Sequence, residues 1–168
     1  MNLKIYEKVG DLFDYQDNYY LAHCIASDFG MMGGIAKQFV DRMAMRHKLV
    51  NWADLHKTKL AINSFNPIPS RPELVGTAVL IENTFNLITK ESTWERPTYK
   101  NLAESLIDMR SQIQKLNIKK LAMPRIGCGI DGLNWGAVYA LIVVTFKQLD
   151  IEITIVSLPD DSDRDEVL

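Results

Sequence analysis

Apolar and polar residues alternate from Leu3 to Val9 (Leu3-Lys4-Ile5-Tyr6-Glu7-Lys8-Val9), the period of a strand. Tyr19 to Ile25 is short and apolar, like a buried strand. After Gly33-Gly34 the period changes, and Ile35, Ala36, Phe39, Val40 and Met43 recur at the spacing of one helix face. A second helical stretch is predicted over Leu49 to His56. Asn66 to Pro72 holds three prolines, which fix φ and remove donors, so no regular element is expected there. Thr77 to Ile81 and Thr84 to Thr89 predict two strands around the turn residues Glu82-Asn83. Thr98 is placed to cap a helix whose Leu102, Leu106, Met109, Ile113 and Leu116 form one stripe.

Leu121-Ala122-Met123 predicts a short strand ending at Pro124. Asn134 is placed to cap a run carrying Val138, Leu141, Ile142, Thr145 and Leu149. Its β-branched residues suit a strand as well, and its length decides for a helix. Ile151 to Leu158 alternates again and supplies the last strand. Strands interleaved with helices predict an α/β fold with a mixed sheet. No repeat, low-complexity stretch or linker interrupts the series.

The 168 residues suit one domain. The composition is globular, with 47% hydrophobic and 24% charged residues, which excludes a disordered or collagen-like chain. The net charge of −2 hides an asymmetry: the last ten residues carry five acids and one Arg. Residues 1–158 hold 18 Lys+Arg against 16 Asp+Glu, so a faintly basic body precedes an acidic tail. A body of that sign suits an anionic small ligand, while no basic stripe speaks for nucleic-acid binding. Two cysteines, Cys24 and Cys128, point to thiols in a reducing compartment. The N-terminus has no apolar h-region, and the longest apolar run, Ala137 to Val144, is too short for a bilayer. A soluble cytoplasmic protein (nuclear if eukaryotic) with no membrane partner is the expectation.

Candidate chemistry sits where glycine or polar residues interrupt the apolar strands. Four segments do so: Gly10 to Phe13, His23 to Ile25, Met31 to Ala36 and Pro124 to Asp131. Two of them place glycines between a strand and a helix, where backbone can approach a ligand and a helix start offers free N–H groups. Either loop alone is an ordinary turn, and neither fits the Walker or dinucleotide fingerprint. Two in one small α/β domain point to a diphosphate ligand beyond the carboxyl ends of the strands. Judged on spacing alone, Lys90 is a solvated lysine at a strand end and Asp131 is evenly a turn carboxylate or a functional one. His23 and Cys24 point to opposite faces of a strand, and His47 and His56 lack partner spacing, so no metal site is expected. Trp52, Trp94 and Trp135 suit packing, and Phe13 and Phe29 are candidates to stack on a base.

These segments together resemble the macrodomain, the ADP-ribose-binding α/β module, and within it the terminal ADP-ribose protein glycohydrolase branch. The resemblance is carried by Gly10-Asp11-Leu12-Phe13, Leu21-Ala22-His23-Cys24-Ile25, Gly34-Ile35-Ala36 and Leu87-Ile88-Thr89-Lys90. It continues through Arg96-Pro97-Thr98-Tyr99 with Asn101-Leu102, Met123 to Asp131, and Trp135, in the same order and over nearly all of Ile5 to Leu158. It implies a three-layer α/β/α macrodomain with a central mixed sheet over 1–158, followed by a flexible acidic tail over 159–168.

The resemblance implies further that Lys90 is the nucleophile and Asp131 the second catalytic group. ADP-ribose would be contacted by Asp11 and Leu12 of the first motif, with Asp11 on adenine, and by His23 and Ile25 of the second strand. Met32, Gly33, Gly34 and Ile35 would follow from the first glycine loop, and Thr89 from beside the lysine. Arg125, Ile126, Gly127, Cys128, Gly129 and Ile130 would line the second loop. Two residues depart from the branch pattern: Met32 adds bulk where backbone should approach the distal ribose, and Ala26 replaces a small polar residue.

No cofactor or metal is implied. The expected activity is removal of terminal mono-ADP-ribose from acidic side chains or nucleobases, through a lysine adduct and an aspartate. Processing of free ADP-ribose-1″-phosphate or O-acetyl-ADP-ribose is the alternative enzymatic function. A non-catalytic ADP-ribose reader is the third. The partners expected are ADP-ribose and ADP-ribosylated protein or nucleic acid, without sequence-specific nucleic-acid binding, and the chain is expected to be a monomer.

Overall fold

The computed structural model describes residues 2–56 and 70–159. Positions 66–69 of the proline stretch and 160–168 of the tail lie outside the described residues. Six strands form one sheet: β1 (Lys4–Val9), β2 (Tyr20–Ala26), β3 (Thr77–Ile81), β4 (Thr84–Lys90), β5 (Lys120–Met123) and β6 (Glu152–Ser157). Their order is β1-β6-β5-β2-β4-β3. All neighbours pair in parallel except β3 and β4. The helices are α1 (Gly34–Met43), α2 (Met45–Leu55), α3 (Tyr99–Leu116) and α4 (Trp135–Phe146).

The two faces of the sheet bury different helices because side chains alternate along each strand. Phe85, Leu87, Leu121, Met123, Ile153 and Ile155 pack with Leu102, Leu106 and Met109 of α3 and Val138, Ile142 and Phe146 of α4. Leu21, Ile25, Ile88, Ala122 and Val156 face Phe39 of α1 and Met45 and Leu49 of α2. The three expected layers are therefore present. Thr98 accepts from the Asn101 N–H at 3.1 Å and Asn134 from that of Ala137 at 3.0 Å, so both predicted caps form.

Several boundaries differ from the sequence pattern. α2 begins at Met45 rather than Leu49, parted from α1 only by Ala44 at φ 51°. Pro72 opens a 3₁₀ turn, Pro72–Leu74, where a missing N–H costs nothing. The α3 stripe is buried through Ile113, but Leu116 is exposed at the helix end, and Leu149 lies beyond the end of α4. β6 alternates in sequence but is buried from Ile153 to Ser157, because it lies between β1 and β5. β1 alternates equally and stays largely exposed, because it is the sheet edge. No helix of the described residues is long and apolar enough to cross a membrane.

Candidate active site

The parallel strands β1, β6, β5, β2 and β4 end along one edge of the sheet, the place where α/β folds bind ligands. A cavity of about 960 Å³ opens there. One wall leaves β2 and β4 and presents Ile25, Ala26, Met31 to Ala36, Lys90 and Thr93. The facing wall leaves β5 and presents Pro124 to Gly136. Gly10, Asp11 and Leu12 after β1, with Val156 and Leu158 from the end of β6, line the remainder.

Lys90 is the last residue of β4, and Asp131 lies in the loop before α4. Although 41 residues apart, they meet across the cavity, with Nζ 2.6 Å from Oδ1. Both side chains are mostly buried, at 11% and 17% exposure, so the pair is shielded from bulk water yet reachable from the cavity. The same Nζ donates to the Thr93 carbonyl at 3.1 Å.

The β5 wall is built by backbone geometry. Gly127 has φ +72°, a left-handed conformation in which a side chain is strained, and a Cβ there would sit 2.9 Å from Leu133 Cδ1. Ile130 reaches across to the other loop: a Cβ at Gly33 would lie 3.2 Å from its Cδ1. Its own side chain is 80% exposed, as Met32 is 60% exposed, so two apolar side chains flank the cavity. Asp11 caps the short turn Leu12–Tyr15 by accepting from the Phe13 N–H at 3.0 Å, and its other oxygen pairs with Arg42 at 3.1 Å.

Two residues expected on the ligand are not in the cavity wall. His23 lies in the middle of β2, where its ring is fully buried and stacked on Phe39 with centroids 3.9 Å apart. Its Nε2 bonds to Asn86 Oδ1 at 2.6 Å. Burial holds its pKa down at about 4, with the Asn86 bond opposing. Thr89 is enclosed likewise, one residue short of the strand end. The stacking candidates Phe13 and Phe29 are core residues; Phe29 has no exposed surface and lies under the Arg71 guanidinium, 4.1 Å from the ring centroid. Trp135, expected to pack, lines the cavity and donates from Nε1 to Glu7 Oε1 at 3.1 Å.

Cys24 and Cys128 both line the cavity. Burial pushes the Cys128 thiol up to about 11, partly offset by Arg125, and raises that of Cys24 further. Neither offers a thiolate near neutral pH. Among the described residues no group of three or more His, Cys, Asp or Glu is arranged to hold a metal ion.

Sequence reasoning missed Thr93 and the buried residues behind it, Ser27, Asp28 and Arg71. Ser27 donates to the Glu91 carbonyl at 2.7 Å and accepts from the Arg71 N–H at 2.9 Å. A polar pair, Ser27-Asp28, directly after a buried strand was the one available signal. Nothing in the sequence marks Arg71 or Thr93 as its partners.

A six-stranded mixed sheet between two helix layers, with glycine loops over its carboxyl edge, is the architecture of solved macrodomains. The macrodomain of Mycobacterium tuberculosis DarG matches with a TM-score of 0.71 at 22% identity, over 92% of this chain and 97% of that one. Thermosipho africanus DarTG in complex with ADP-ribose matches with a TM-score of 0.69 at 20% identity, over 92% of this chain and 42% of that one. In sequence, the ADP-ribose glycohydrolase OARD1 of Homo sapiens is 34% identical over 153 residues, which is 89% of this chain and 88% of that protein. The chain belongs to the macrodomain family of that ADP-ribose glycohydrolase. No family model matches the sequence.

Proposed function

We propose that this protein hydrolyses terminal mono-ADP-ribose from acidic side chains, with Lys90 as the nucleophile and Asp131 as the proton-transferring group. The observation that carries the reading is the 2.6 Å contact between Lys90 Nζ and Asp131 Oδ1 at the cavity wall. Its support in kind is the 34% identity to an ADP-ribose glycohydrolase.

An amine attacks only in its neutral form, and the carboxylate beside Lys90 gives its proton a place to go. The neutral Nζ then attacks the anomeric carbon of the distal ribose. The carbon–oxygen bond to the ester breaks, and the carboxylate leaves with the electron pair. The glycosylamine so formed opens to an imine, the ring oxygen taking up the proton that the nitrogen gives up. Water adds to the imine carbon, and the carbon–nitrogen bond breaks as Asp131 relays a proton to the departing amine. The products are ADP-ribose and the free acid. The glycine backbone of 127–129 would hold the diphosphate and so orient the sugar toward the lysine.

Turnover of a glutamate-linked mono-ADP-ribosyl peptide tests this directly. Lys90→Ala should lose at least about 10³-fold in rate, the scale of a removed nucleophile. Cyanoborohydride should trap an ADP-ribose adduct on the wild-type protein and none on the variant. A Lys90→Ala protein at the wild-type rate overturns the lysine role. ADP-ribose binding by calorimetry without turnover of any conjugate would make the protein a reader instead.

A further inference from the structure

The segment leaving β2 and the segment leaving β4 are clasped together by one buried carboxylate that does not touch the cavity. Asp28 is 9% exposed. Its Oδ1 accepts from the Gly30 N–H at 2.8 Å and from the Thr93 hydroxyl at 2.5 Å, while Oδ2 accepts from the Thr93 N–H at 2.8 Å. Thr93 is thus held through both its side chain and its backbone nitrogen. Its remaining polar group, the carbonyl, accepts from Lys90 Nζ at 3.1 Å. The chain of contacts runs from Asp28 through Thr93 to the lysine amine.

Three further features show that this clasp is built tightly. A Cβ at Gly30 would overlap the Thr93 hydroxyl, so only glycine lets the two segments approach this closely. The residues on either side of Gly30, Phe29 and Met31, adopt φ 55° and 50°, left-handed conformations that cost energy for non-glycine residues. Ser27 continues the stitching, its N–H donating to the Lys90 carbonyl at 2.9 Å and its hydroxyl to the Glu91 carbonyl at 2.7 Å. Strain held by a buried carboxylate that accepts three hydrogen bonds, next to a functional side chain, is the signature of pre-organisation.

We propose that Asp28 is a positioning residue for the reaction, holding the Thr93 carbonyl where it orients the Lys90 amine toward Asp131 and the ribose. Without this acceptor, a side chain with four rotatable bonds has, among the described residues, Asp131 alone as a hydrogen-bond partner. The anchor makes the amine approach the anomeric carbon in one orientation rather than several. The inference rests on the proposed role of Lys90. Asp28 does not itself line the cavity and reaches it through Thr93, beside the lysine, so its loss should fall on the chemical step more than on binding.

The test compares kcat on the glutamate-linked mono-ADP-ribosyl peptide with ADP-ribose affinity by calorimetry. Asp28→Asn keeps the shape but turns one acceptor into a donor facing an N–H or hydroxyl. It should lower kcat by about 10²-fold, the scale of a 1 Å misplacement, and leave the ADP-ribose Kd within about twofold. The yield of reductively trapped adduct should fall with kcat. Thr93→Val, which lacks the hydroxyl, should lower kcat by about tenfold, and Thr93→Ser, which restores it, should recover most of that loss.

Asp28→Asn at wild-type kcat overturns the inference, as does an equal loss of affinity and turnover, which is what a merely structural role predicts. If Asp28→Asn does not fold, the Thr93 pair decides: equal rates for Val and Ser overturn it. Lys90→Ala at the wild-type rate removes the reading beneath it. Lys90→Ala inactive with Asp28→Asn fully active overturns the positioning role alone.

Discussion

The wall that leaves β2 and β4 is tied together by side chains, whereas the wall that leaves β5 is shaped by glycine and closed by its own backbone. In the first, Ser27, Asp28 and Arg71 bind carbonyls, N–H groups and a hydroxyl across three separate segments. In the second, the Cys128, Gly132 and Leu133 N–H groups bond to the Arg125, Gly129 and Gly127 carbonyls, all within nine residues of one loop. Distant side chains reach this wall at single points: Lys90 at Asp131, Glu7 at Trp135, and the Tyr99 hydroxyl, which accepts from the Asn134 N–H at 3.1 Å. The difference follows from what each wall does. Backbone amides left free by a glycine loop suit an anionic ligand. A lysine on a long flexible side chain needs oriented acceptors instead, and those come from buried polar residues.

Acid should have the largest effect, and it acts in the core beneath the first wall rather than in either wall. His23 lies in β2 with its pKa depressed from 6.5 to about 4, so the unfolded chain takes up its proton first as pH falls. The stability this contributes is complete above about pH 6.5 and is lost between pH 6.5 and 4, to a total of about 3 kcal/mol. Urea unfolding across that range should show the slope in the wild type, and His23→Asn should flatten it. An unchanged slope would place the acid sensitivity elsewhere.

Gly30→Ala comes next. Its Cβ overlaps a Thr93 hydroxyl that Asp28 prevents from turning away, so about 2 kcal/mol of stability should be lost by urea midpoint, and turnover should fall with it. Gly127→Ala strikes the second wall. The left-handed backbone costs about 1–2 kcal/mol, while Leu133 Cδ1 lies at the far end of a side chain and can give way. ADP-ribose affinity should weaken more in Gly127→Ala than in Gly30→Ala, and the reverse order would contradict the division of labour between the walls. Gly129→Ala should be almost neutral, within about 0.5 kcal/mol, because nothing lies within 4 Å of the added carbon. A large loss there would mean that the second wall depends on more than its positive-φ glycines.

The sequence was a good guide wherever a residue's fate depends on its neighbours in the chain. Thr98 and Asn134 cap helices because capping reaches only two or three residues ahead. The stripe from Leu102 to Ile113 is buried because helical spacing alone puts those residues on one face. It was a poor guide to exposure at the sheet edge. β1 and β6 carry the same alternation, and only their order in the sheet makes one exposed and the other buried. Lys90 and Asp131 stand out through resemblance, since spacing alone makes Lys90 a solvated lysine and leaves Asp131 even between a turn carboxylate and a functional one. His23 was misplaced for a related reason: a motif marks the strand, while the depth of a residue along it decides between cavity and core.

By itself the sequence determined the order and type of the elements, the two glycine loops and the residues that cap the helices around them. These follow from local rules of backbone conformation and hydrophobic period. Only the tertiary structure decided which polar groups meet. The Lys90–Asp131 contact spans 41 residues and the Asp28–Thr93 clasp spans 65. Parallel pairing of β2 with β4 and of β2 with β5 brings their carboxyl ends, and everything that leaves them, to one edge. Hydrogen bonds work over about 3 Å, so a lysine's partners are set by strand order rather than by its neighbours in the chain.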